Sequence, residues 1–480
     1  MKTSKLFTIL KTFSDEEMKR FEKFIISPYH NAGRNLRPLF KILKKYHPEY
    51  PAEKLTHLKI NKALGIKNNS GEKRSSAQLT VRISELTKLA ESFTVVDNLI
   101  RDKYQFSKNL AGIYKNRKLY NYSISRINES CKLLDENGID EEYALERLQL
   151  QWMLRKNYTN LNKIDKAVLT EFSVSLYLLS FFITHVKVML FQENRKYPMN
   201  AELLKMIVDG IDYDKMDRLC KDEGTGVKEK LLFDLKRCQF YIYKEEKTFW
   251  ELIDYYKDHF SKFSRYLKWQ YYLGLMRSGI ELSYSRGFIF CGSELNSLTD
   301  FIFGKNIYSH SNNEYLEDKF FTTIIGLKFG LESSENIQKF SDTYVEKVHP
   351  DYIERAKNYA EAFINFKNKK YENSLGSIQL ITRPISAEKN LLYKLKIANF
   401  FELNYAEEMH YLLDSYNHVL VSNRKYRSKD QNINFITLIK IIHEYSSKKI
   451  SPGRKEKQKL IEKSKTSEFH WWFKEKIEEL

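Results

Sequence analysis

YKNRKLYNYSISRI, residues 114–127, contains the spacing on which the prediction of the fold rests. An aromatic, a second aromatic, a small and an apolar position lie 6, 3 and 4 residues apart, and they are Tyr114, Tyr120, Ser123 and Ile127. The lysine-rich turn KNRK follows the first of them. An aromatic residue at the start of a second helix can pack against the first helix, and a small residue one turn later lets the two backbones approach. The spacing therefore predicts a helical hairpin.

The same spacing recurs twice further along the chain. YKEEKTFWELIDYY at 243–256 repeats it with the turn KEEK, and NFKNKKYENSLGSI at 365–378 repeats it with the turn KNKK and a polar first member. The predicted hairpin-packing residues are Tyr114, Tyr120, Tyr243, Phe249, Tyr371 and Ile378. These positions match a tetratricopeptide (TPR) hairpin, but the Trp-Leu-Gly opening, the closing proline and a constant period are missing. The pattern predicts degenerate TPR-like hairpins.

Composition favours an all-α fold. The 480 residues include 17 Gly and 8 Pro, whereas 14% are aromatic and 30% are charged. A β-rich protein of this size needs many Gly and Pro turns, and a disordered chain would not carry 32 Tyr and 31 Phe. Because stacked hairpins pack only on their neighbours, they also let a chain fold that is too long for one ordinary core. We predict an all-α, degenerate TPR-like helical-hairpin solenoid with an N-terminal helical module.

The first predicted helix has clear boundaries. Ser14 is its N-cap and Glu17 completes a capping box, while Phe13 and Met18 are placed to form a hydrophobic staple. The helix is expected to end before Pro28.

Three regions are predicted along the chain. A basic N-terminal helical module covers 1–103, with further helices at 36–46, from about residue 51, and at 79–93. A TPR-like repeat array covers 104–446, and a basic C-terminal helix with a Trp pair covers 447–480.

Positive charge is concentrated at the two ends. Of the net charge of +18, residues 1–120 contribute +14 (25 Lys and Arg against 11 Asp and Glu), and residues 448–465 contribute +6 (8 against 2), which leaves −2 elsewhere. Such basic regions can steer a protein toward nucleic acid or toward an anionic membrane surface. The candidate contacts with an anionic partner are Arg37, Lys41, Lys44, Lys45, Arg454, Lys455, Lys457 and Lys459. The alternative is a lysine excess from an AT-biased genome, and lysine outnumbers the arginine that phosphate recognition prefers.

Cysteine usage and the N-terminus indicate the cytoplasm. The four scattered cysteines suggest buried thiols in a reducing compartment, and they are Cys131, Cys220, Cys238 and Cys291. The apolar stretch at 6–10 is too short for a signal-peptide core. Segment 172–191 is long enough to span a membrane, but it contains His185 and Lys187, and we predict a buried helix covered on both sides.

No catalytic, cofactor or metal motif is found, so a non-enzymatic protein is predicted. GIKNNSGEKRSS at 65–76 has the wrong glycine spacing for a phosphate-binding loop and follows no strand, so a surface turn is expected. The histidines form no metal-binding pattern, and His410 and His418 are expected to be surface or packed residues. No cofactor is predicted.

The C-terminal tryptophans are predicted to cap the helical array. HWWF at 470–473 follows a lysine-rich stretch. Trp471 and Trp472 could anchor a partner, but we expect at least one to dock back, because the end of a solenoid otherwise exposes apolar surface.

FEKFIISPYHNAGRNLRPLFKILKKYHPEY at 21–50 resembles the opening of an uncharacterised bacterial protein family, whose members have a Phe-rich helix, an SPYFN-type break and a Leu-Phe-Leu-Lys-Lys helix. LTVRISELTKLAESF at 79–93 and EEMHYLLDSYNHVLVSNRKY at 407–426 are similar to later helices of that family. His30 replaces the more usual Phe of the break. The resemblance implies TPR-like helices and brings no known activity or ligand.

The predicted function is a non-enzymatic helical-repeat scaffold that binds a protein or peptide. The alternative is a nucleic-acid-associated protein that binds through its basic N- and C-terminal regions. The partner and the oligomeric state are left open by the sequence.

Overall fold

Helices make up the fold. The computed structural model describes residues 5–31, 35–51, 53–65, 72–140, 142–193, 201–219, 226–311, 314–382, 384, 386–422 and 429–480. This part of the chain is all-α with sequential packing of helices, and its only β-type pairing is an isolated bridge between Leu316 and Val348. The predicted all-α class is confirmed.

The chain divides into two compact units. Unit 1 comprises Met1–Glu136 and Trp152–Thr170, and unit 2 comprises Asn137–Gln151 and Glu171–Leu480.

The helices from the N-terminus to the end of unit 1 are α1 (Lys5–Lys11), α2 (Asp15–Ile26), α3 (Pro28–Asn31), α4 (Arg37–Lys44), α5 (His57–Ala63), α6 (Glu72–Arg101), α7 (Lys103–Asn116), α8 (Tyr120–Asn137), α9 (Tyr143–Asn160) and α10 (Ile164–Glu193). The last three continue into unit 2.

The remaining helices belong to unit 2. They are α11 (Ala201–Asp209), α12 (Tyr213–Leu219), α13 (Val227–Tyr243), α14 (Glu246–Asp258), α15 (Arg265–Arg286), α16 (Phe288–Gly304), α17 (Asp318–Leu331), α18 (Ser334–Tyr344), α19 (Ile353–Lys367), α20 (Tyr371–Leu380), α21 (Ser386–Glu402), α22 (Ala406–Ser422), α23 (Lys429–Lys448), α24 (Arg454–Ser464) and α25 (His470–Glu479).

The start of α2 follows the predicted capping box. The Ser14 hydroxyl accepts a hydrogen bond from the Glu17 N–H, and the Glu17 carboxylate accepts one from the Ser14 N–H. Phe13 and Met18 are buried, as a staple requires. Two details differ from the prediction: α1 precedes this helix, and the helix expected near residue 51 begins only at His57, after its N-cap Thr56.

A phenylalanine cluster forms the N-terminal core. The Phe21 ring lies 5.1–5.6 Å from the rings of Phe13, Phe40 and Phe93, which belong to other helices or to the preceding loop. Buried residues of α1, α2, α4, α5 and α6 share this core, so these helices pack around one apolar centre.

A buried polar network joins α7, α8 and α9 in unit 1. The Ser123 hydroxyl donates to the Ala111 carbonyl oxygen at 2.9 Å, and the Asn157 amide donates to the Ser123 oxygen at 2.9 Å. All three residues are fully buried. Ser123 follows the α7–α8 turn by one helical turn, and Asn157 precedes the end of α9 by one turn, so this bond holds the end of α9 beside that turn.

The same network joins α19, α20 and α21 in unit 2. The Ser374 hydroxyl donates to the Ala362 carbonyl oxygen at 2.7 Å, and the Asn399 amide donates to the Ser374 oxygen at 3.0 Å. In both networks, the Asn oxygen lacks a hydrogen-bond partner among the described residues. Two sets of three consecutive helices therefore share one arrangement of buried polar groups, which we call the unit-1 triplet and the unit-2 triplet.

The first helix of each triplet, α7 or α19, also ends in the same way. Lys118 and Lys369 have the left-handed φ values of 63° and 59°. Each donates its N–H to the carbonyl oxygen three residues earlier, and the next residue donates to a carbonyl five residues earlier, which is the Schellman cap.

A carboxylate surrounded by cations is buried in unit 2. The Asp234 carboxylate accepts hydrogen bonds from the ammonium groups of Lys187 and Lys230, both at 2.9 Å. Burial alone would raise the pKa of Asp234, but Lys187, Lys230 and Arg237 outweigh it and hold the pKa well below its usual range. Burial lowers the pKa of Lys187, and Asp234 opposes that shift. Asp234 thus stays ionised and compensates the cations of α10 and α13.

Replacing Asp234 with Asn is expected to lower the free energy of unfolding by about 3–5 kcal/mol at neutral pH, because it leaves buried cations without their counter-charge. Urea denaturation, monitored by circular dichroism, measures this change in the free energy of unfolding. The exposed Asp254 provides the matched control, and Asp254→Asn should change stability by less than about 0.5 kcal/mol.

The same pair of proteins gives a pH test. Because the folded pKa of Asp234 is depressed, its contribution is present above its unfolded pKa of about 3.9 and is lost as the pH falls through that value toward the folded pKa. The difference between wild type and Asp234→Asn should narrow as the pH falls from about 5 toward about 3. A constant difference over this range would contradict the assignment.

Candidate partner-binding surfaces

The unit-2 triplet has its tip, the α19–α20 turn with the end of α21, covered by α25. The Lys369 ammonium lies 2.6 Å from the Glu475 carboxylate, and the Trp471 ring lies 4.2 Å from the Lys367 ammonium. The indole N–H of Trp472 donates to Glu402 at 2.5 Å. Helix α25 therefore meets this tip with both aromatic and acidic side chains.

Trp472 is the buried member of the tryptophan pair. Its side chain is 1% exposed and packs on Phe366 and Phe401, while Trp471 is half-buried against Phe329 and Phe366. The predicted docking of at least one tryptophan is confirmed.

The unit-1 triplet presents an uncovered and basic tip. Five cations lie at the end of α7, in the α7–α8 turn and from the α9–α10 turn into the first turn of α10. We call them the basic tip: Lys115, Arg117, Lys118, Lys163 and Lys166. Lys115 is half-buried and the others are exposed. In the part of the chain that the structure describes, none of the five is in an ion pair.

The surroundings of the basic tip hold few carboxylates. Segments 103–128 and 152–170 together contain ten Lys and Arg and one acidic residue, Asp165. Apolar side chains are exposed beside the cations: Leu119 is 41% and Tyr122 65% exposed. The tip can attract an anionic group and offers apolar contact area next to it.

The six predicted hairpin-packing residues differ in burial. Phe249 is fully buried, and Tyr114, Tyr120, Tyr371 and Ile378 are half-buried. Tyr243 is 42% exposed, and its hydroxyl donates to Asp209 of α11 instead of filling the hairpin. In the first and third hairpins, the two helices are joined by the hydrogen bonds from Ser123 to Ala111 and from Ser374 to Ala362.

The middle hairpin differs because its turn is shorter. Lys244 caps α13 with one N–H bond to the Phe240 carbonyl oxygen, and α14 begins at Glu246. Phe249 consequently lies one turn inside α14, and Leu252 occupies the position of the serine in the two triplets.

The four predicted N-terminal contacts lie on α4 and just after it. Lys44 and Arg37 reach the Glu22 carboxylate at 2.7 and 3.8 Å, and the hydrogen bond from Lys44 is the main cause of the lowered pKa of Glu22. Lys41 and Lys45 are exposed. Two of the four charges are therefore partly compensated within unit 1.

The predicted C-terminal contacts lie on the first two turns of α24. Arg454, Lys455 and Lys459 are exposed and Lys457 is half-buried. Glu456 lies between them and accepts a hydrogen bond from the Tyr445 hydroxyl at 2.7 Å. Within the described residues, none of these four cations is in an ion pair.

Helix α10 differs from its predicted environment. The stretch Ile164–Leu190 is long and apolar enough to cross a membrane by length and composition, with a mean hydropathy of 1.6. Its inward side holds Thr184 and Lys187, whereas Phe172 and Leu178 are exposed. The prediction of a helix covered on both sides is corrected to a helix covered on one side.

A cleft of about 300 Å³ in unit 2 is lined by aromatic and acidic side chains: Trp269, Tyr308, Ser309, His310, Glu314, Tyr315 and Glu317. Such a lining suits a cation. Two of its groups already have partners in the chain, since the Arg265 guanidinium lies 5.7 Å from the Tyr308 ring and Lys319 pairs with Glu317 at 2.5 Å.

Metal ligands are not clustered among the described residues, where no three His, Cys, Asp or Glu side chains could hold an ion. His410 stacks edge-on against His443 at 5.0 Å, and His418 is exposed. Cys131, Cys238 and Cys291 are buried and form no disulfide among the described residues.

Two predicted features fall partly outside the described residues. Cys220 lies outside them, as does half of the proposed loop at 65–76, namely residues 66–71. Its last residues, from Glu72, begin α6 instead.

Comparisons of the chain with protein-family models, with curated proteins and with solved structures find no match. The resemblance of residues 21–50 to a bacterial family stays a prediction.

Replacing Trp472 with Ala is expected to lower the free energy of unfolding by about 3–5 kcal/mol, because a large aromatic side chain is removed from a closed site. The comparison is Tyr411→Ala, at a side chain that is 79% exposed, for which a change below about 0.5 kcal/mol is expected. Equal unfolding midpoints and slopes in urea for the two variants would contradict the docking of α25.

Proposed function

We propose that this protein is a non-enzymatic, TPR-like helical-repeat scaffold of the cytoplasm that binds a protein partner. The observation that carries the proposal is the pair of triplets with one hydrogen-bonding arrangement. Repetition of a helical unit creates extended surfaces, and such surfaces serve binding more often than chemistry. The tip of one triplet is covered by a helix and the tip of the other is exposed, which gives the chain an unfilled docking position.

The covered tip supports this proposal because it is an example of helix binding within the chain. Helix α25 supplies an aromatic contact to Lys367, a carboxylate to Lys369 and an indole donor to Glu402. A partner helix that met the exposed triplet would share the contact of a carboxylate with the lysine at the position of Lys369, which is Lys118 in unit 1.

The experiment is affinity capture with the full-length chain from a native lysate, treated with nuclease, followed by mass spectrometry and light scattering of the product. A protein retained in a fixed stoichiometric ratio is expected. A plain monomer with no stoichiometric partner would overturn the proposal. The Trp472→Ala variant, if folded, tests whether retention depends on an intact unit 2.

A second function is favoured by the exposed cations of α24. Nucleic-acid binding through Arg454, Lys455 and Lys459 would weaken steeply with salt, since each phosphate contact releases a counterion. Replacing these three residues with Gln should lower the slope of log affinity against log salt by about 2 for a single strand. Measuring the same slope for Lys41→Gln/Lys45→Gln tests the predicted N-terminal contacts. Absence of salt-sensitive retention of RNA or DNA by the wild type near physiological ionic strength would end this alternative.

A further inference from the structure

The two triplets place a lysine at the same point of their tips. Lys118 and Lys369 each follow the first helix of a triplet in the left-handed conformation, so their backbones direct them alike. Lys369 meets the Glu475 carboxylate of α25. Lys118 is exposed and has no carboxylate partner among the described residues. The unit-2 triplet thus shows which group suits this position.

The residues around the lysine show how an occupant of unit 1 must differ from α25. At the position of Phe366, which packs on both tryptophans, unit 1 has Lys115. At the position of Glu402, which pairs with Lys476 of α25 at 3.1 Å, unit 1 has Asn160. Relative to unit 2, unit 1 therefore has a cation in place of an apolar side chain and a neutral amide in place of a carboxylate. The matching helix therefore needs more carboxylates, a smaller aromatic contribution and no lysine opposite Asn160.

The basic tip also has an apolar margin. Leu119 and Tyr122 are exposed beside the cations, and the Tyr122 ring lies 5.9 Å from the Tyr114 ring. A surface that pairs cations with a short apolar strip fits an amphipathic helix, whose carboxylates and apolar residues alternate at helical spacing.

We propose that the basic tip of unit 1 binds an acidic amphipathic helix of a partner protein. The inference rests on the proposed scaffold function and names the chemistry of its partner. Lys115, Arg117, Lys118 and Lys163 receive the carboxylates, and Leu119 and Tyr122 receive the apolar face of the helix.

Single-stranded nucleic acid fits this surface less well. Stacking of successive bases needs several open aromatic faces, whereas the basic tip and its apolar margin include one exposed ring, that of Tyr122. The exposed Trp152 of α9 already has the guanidinium of Arg155 and the ammonium of Lys156 over its ring, each at 5.4 Å. Lysine predominates at the tip, and the chain's own example of an occupant is a carboxylate-bearing helix.

The test uses the full-length protein and an alanine-based helical peptide that carries glutamates along one face, a leucine strip and one tryptophan for fluorescence. A peptide with Gln in place of each Glu is the control. We expect the acidic peptide to bind and the Gln peptide to bind at least about tenfold more weakly, because the contacts are charge-assisted.

Charge reversal at the tip locates the site. Arg117→Glu/Lys118→Glu should weaken binding of the acidic peptide by about tenfold or more, and a Lys-for-Glu peptide should regain affinity for that variant. Lys339→Glu/Lys347→Glu makes the same change of charge on exposed residues of unit 2 that are not proposed to bind a partner, and it should leave peptide binding within about twofold of wild type. Circular dichroism confirms folding. Lys115→Gln/Lys163→Gln tests the tip again without altering the left-handed residue.

Three results would overturn the inference. They are equal affinity for the acidic and Gln peptides, equal weakening by the Lys339→Glu/Lys347→Glu and tip variants, and displacement of the acidic peptide by a single-stranded oligonucleotide that binds the tip more tightly. Failure of the scaffold proposal looks different, because no stoichiometric protein would then be captured. A captured protein that is retained equally by Arg117→Glu/Lys118→Glu would keep the scaffold and exclude the tip.

Discussion

The buried serine hydroxyl of each triplet is the interaction on which the arrangement of its helices depends. Ser123 and Ser374 each donate to a carbonyl of the preceding helix and accept from an asparagine of the following one. One hydroxyl thus links three helices in a fully buried place. A hydrogen bond of this kind contributes about 0.5–1.5 kcal/mol net, but leaving a buried donor unpaired costs about 1–3 kcal/mol. Any shift of one helix along another would break the hydrogen bond between the asparagine and the serine, so the network fixes their register.

Unit 2 has a second polar constraint. Asp234 sits between Lys187 of α10 and Lys230 of α13, and the Arg237 guanidinium lies against Gly274, where a Cβ would collide with it. Buried charges give little net stability, but they make a misaligned packing of the same helices costly. Cation–carboxylate contacts here have the role that the serine–asparagine contacts have in the triplets.

The spacing of aromatic and small residues predicted the hairpins and included both serines. It could not supply their partners, because Asn157 lies 34 residues after Ser123 whereas Asn399 lies 25 after Ser374. An interaction between helices at unequal separations leaves no periodic signal. The Ser14 capping box was predictable, since all its atoms lie within one helical turn. Tyr243 shows that a local spacing can also mislead. The α13–α14 turn is shorter than the turns of the triplets, so α14 starts earlier relative to the same spacing and Tyr243 is exposed.

Helix α10 shows why composition alone misjudges exposure. Its polar residues Thr184 and Lys187 face inward to Asp234, while the apolar Phe172 and Leu178 face outward. An amphipathic pattern is normally read with its polar side toward water, but a buried counter-charge lets Lys187 lie on the inward side, among apolar residues such as Ile183 and Val186.

The two tips differ in how much apolar and how much charged surface they present. An exposed tip built like that of unit 2, with Phe366 and Phe401 uncovered, would be a site of aggregation. The chain covers that tip with its own α25. At the tip of unit 1, Lys115 and Thr159 stand in the corresponding positions and keep the surface soluble when nothing is bound. Positive charge also raises the rate of encounter with an anionic surface without committing the tip to it. A covered apolar tip is suited to permanent packing, and an open cationic tip is suited to reversible binding.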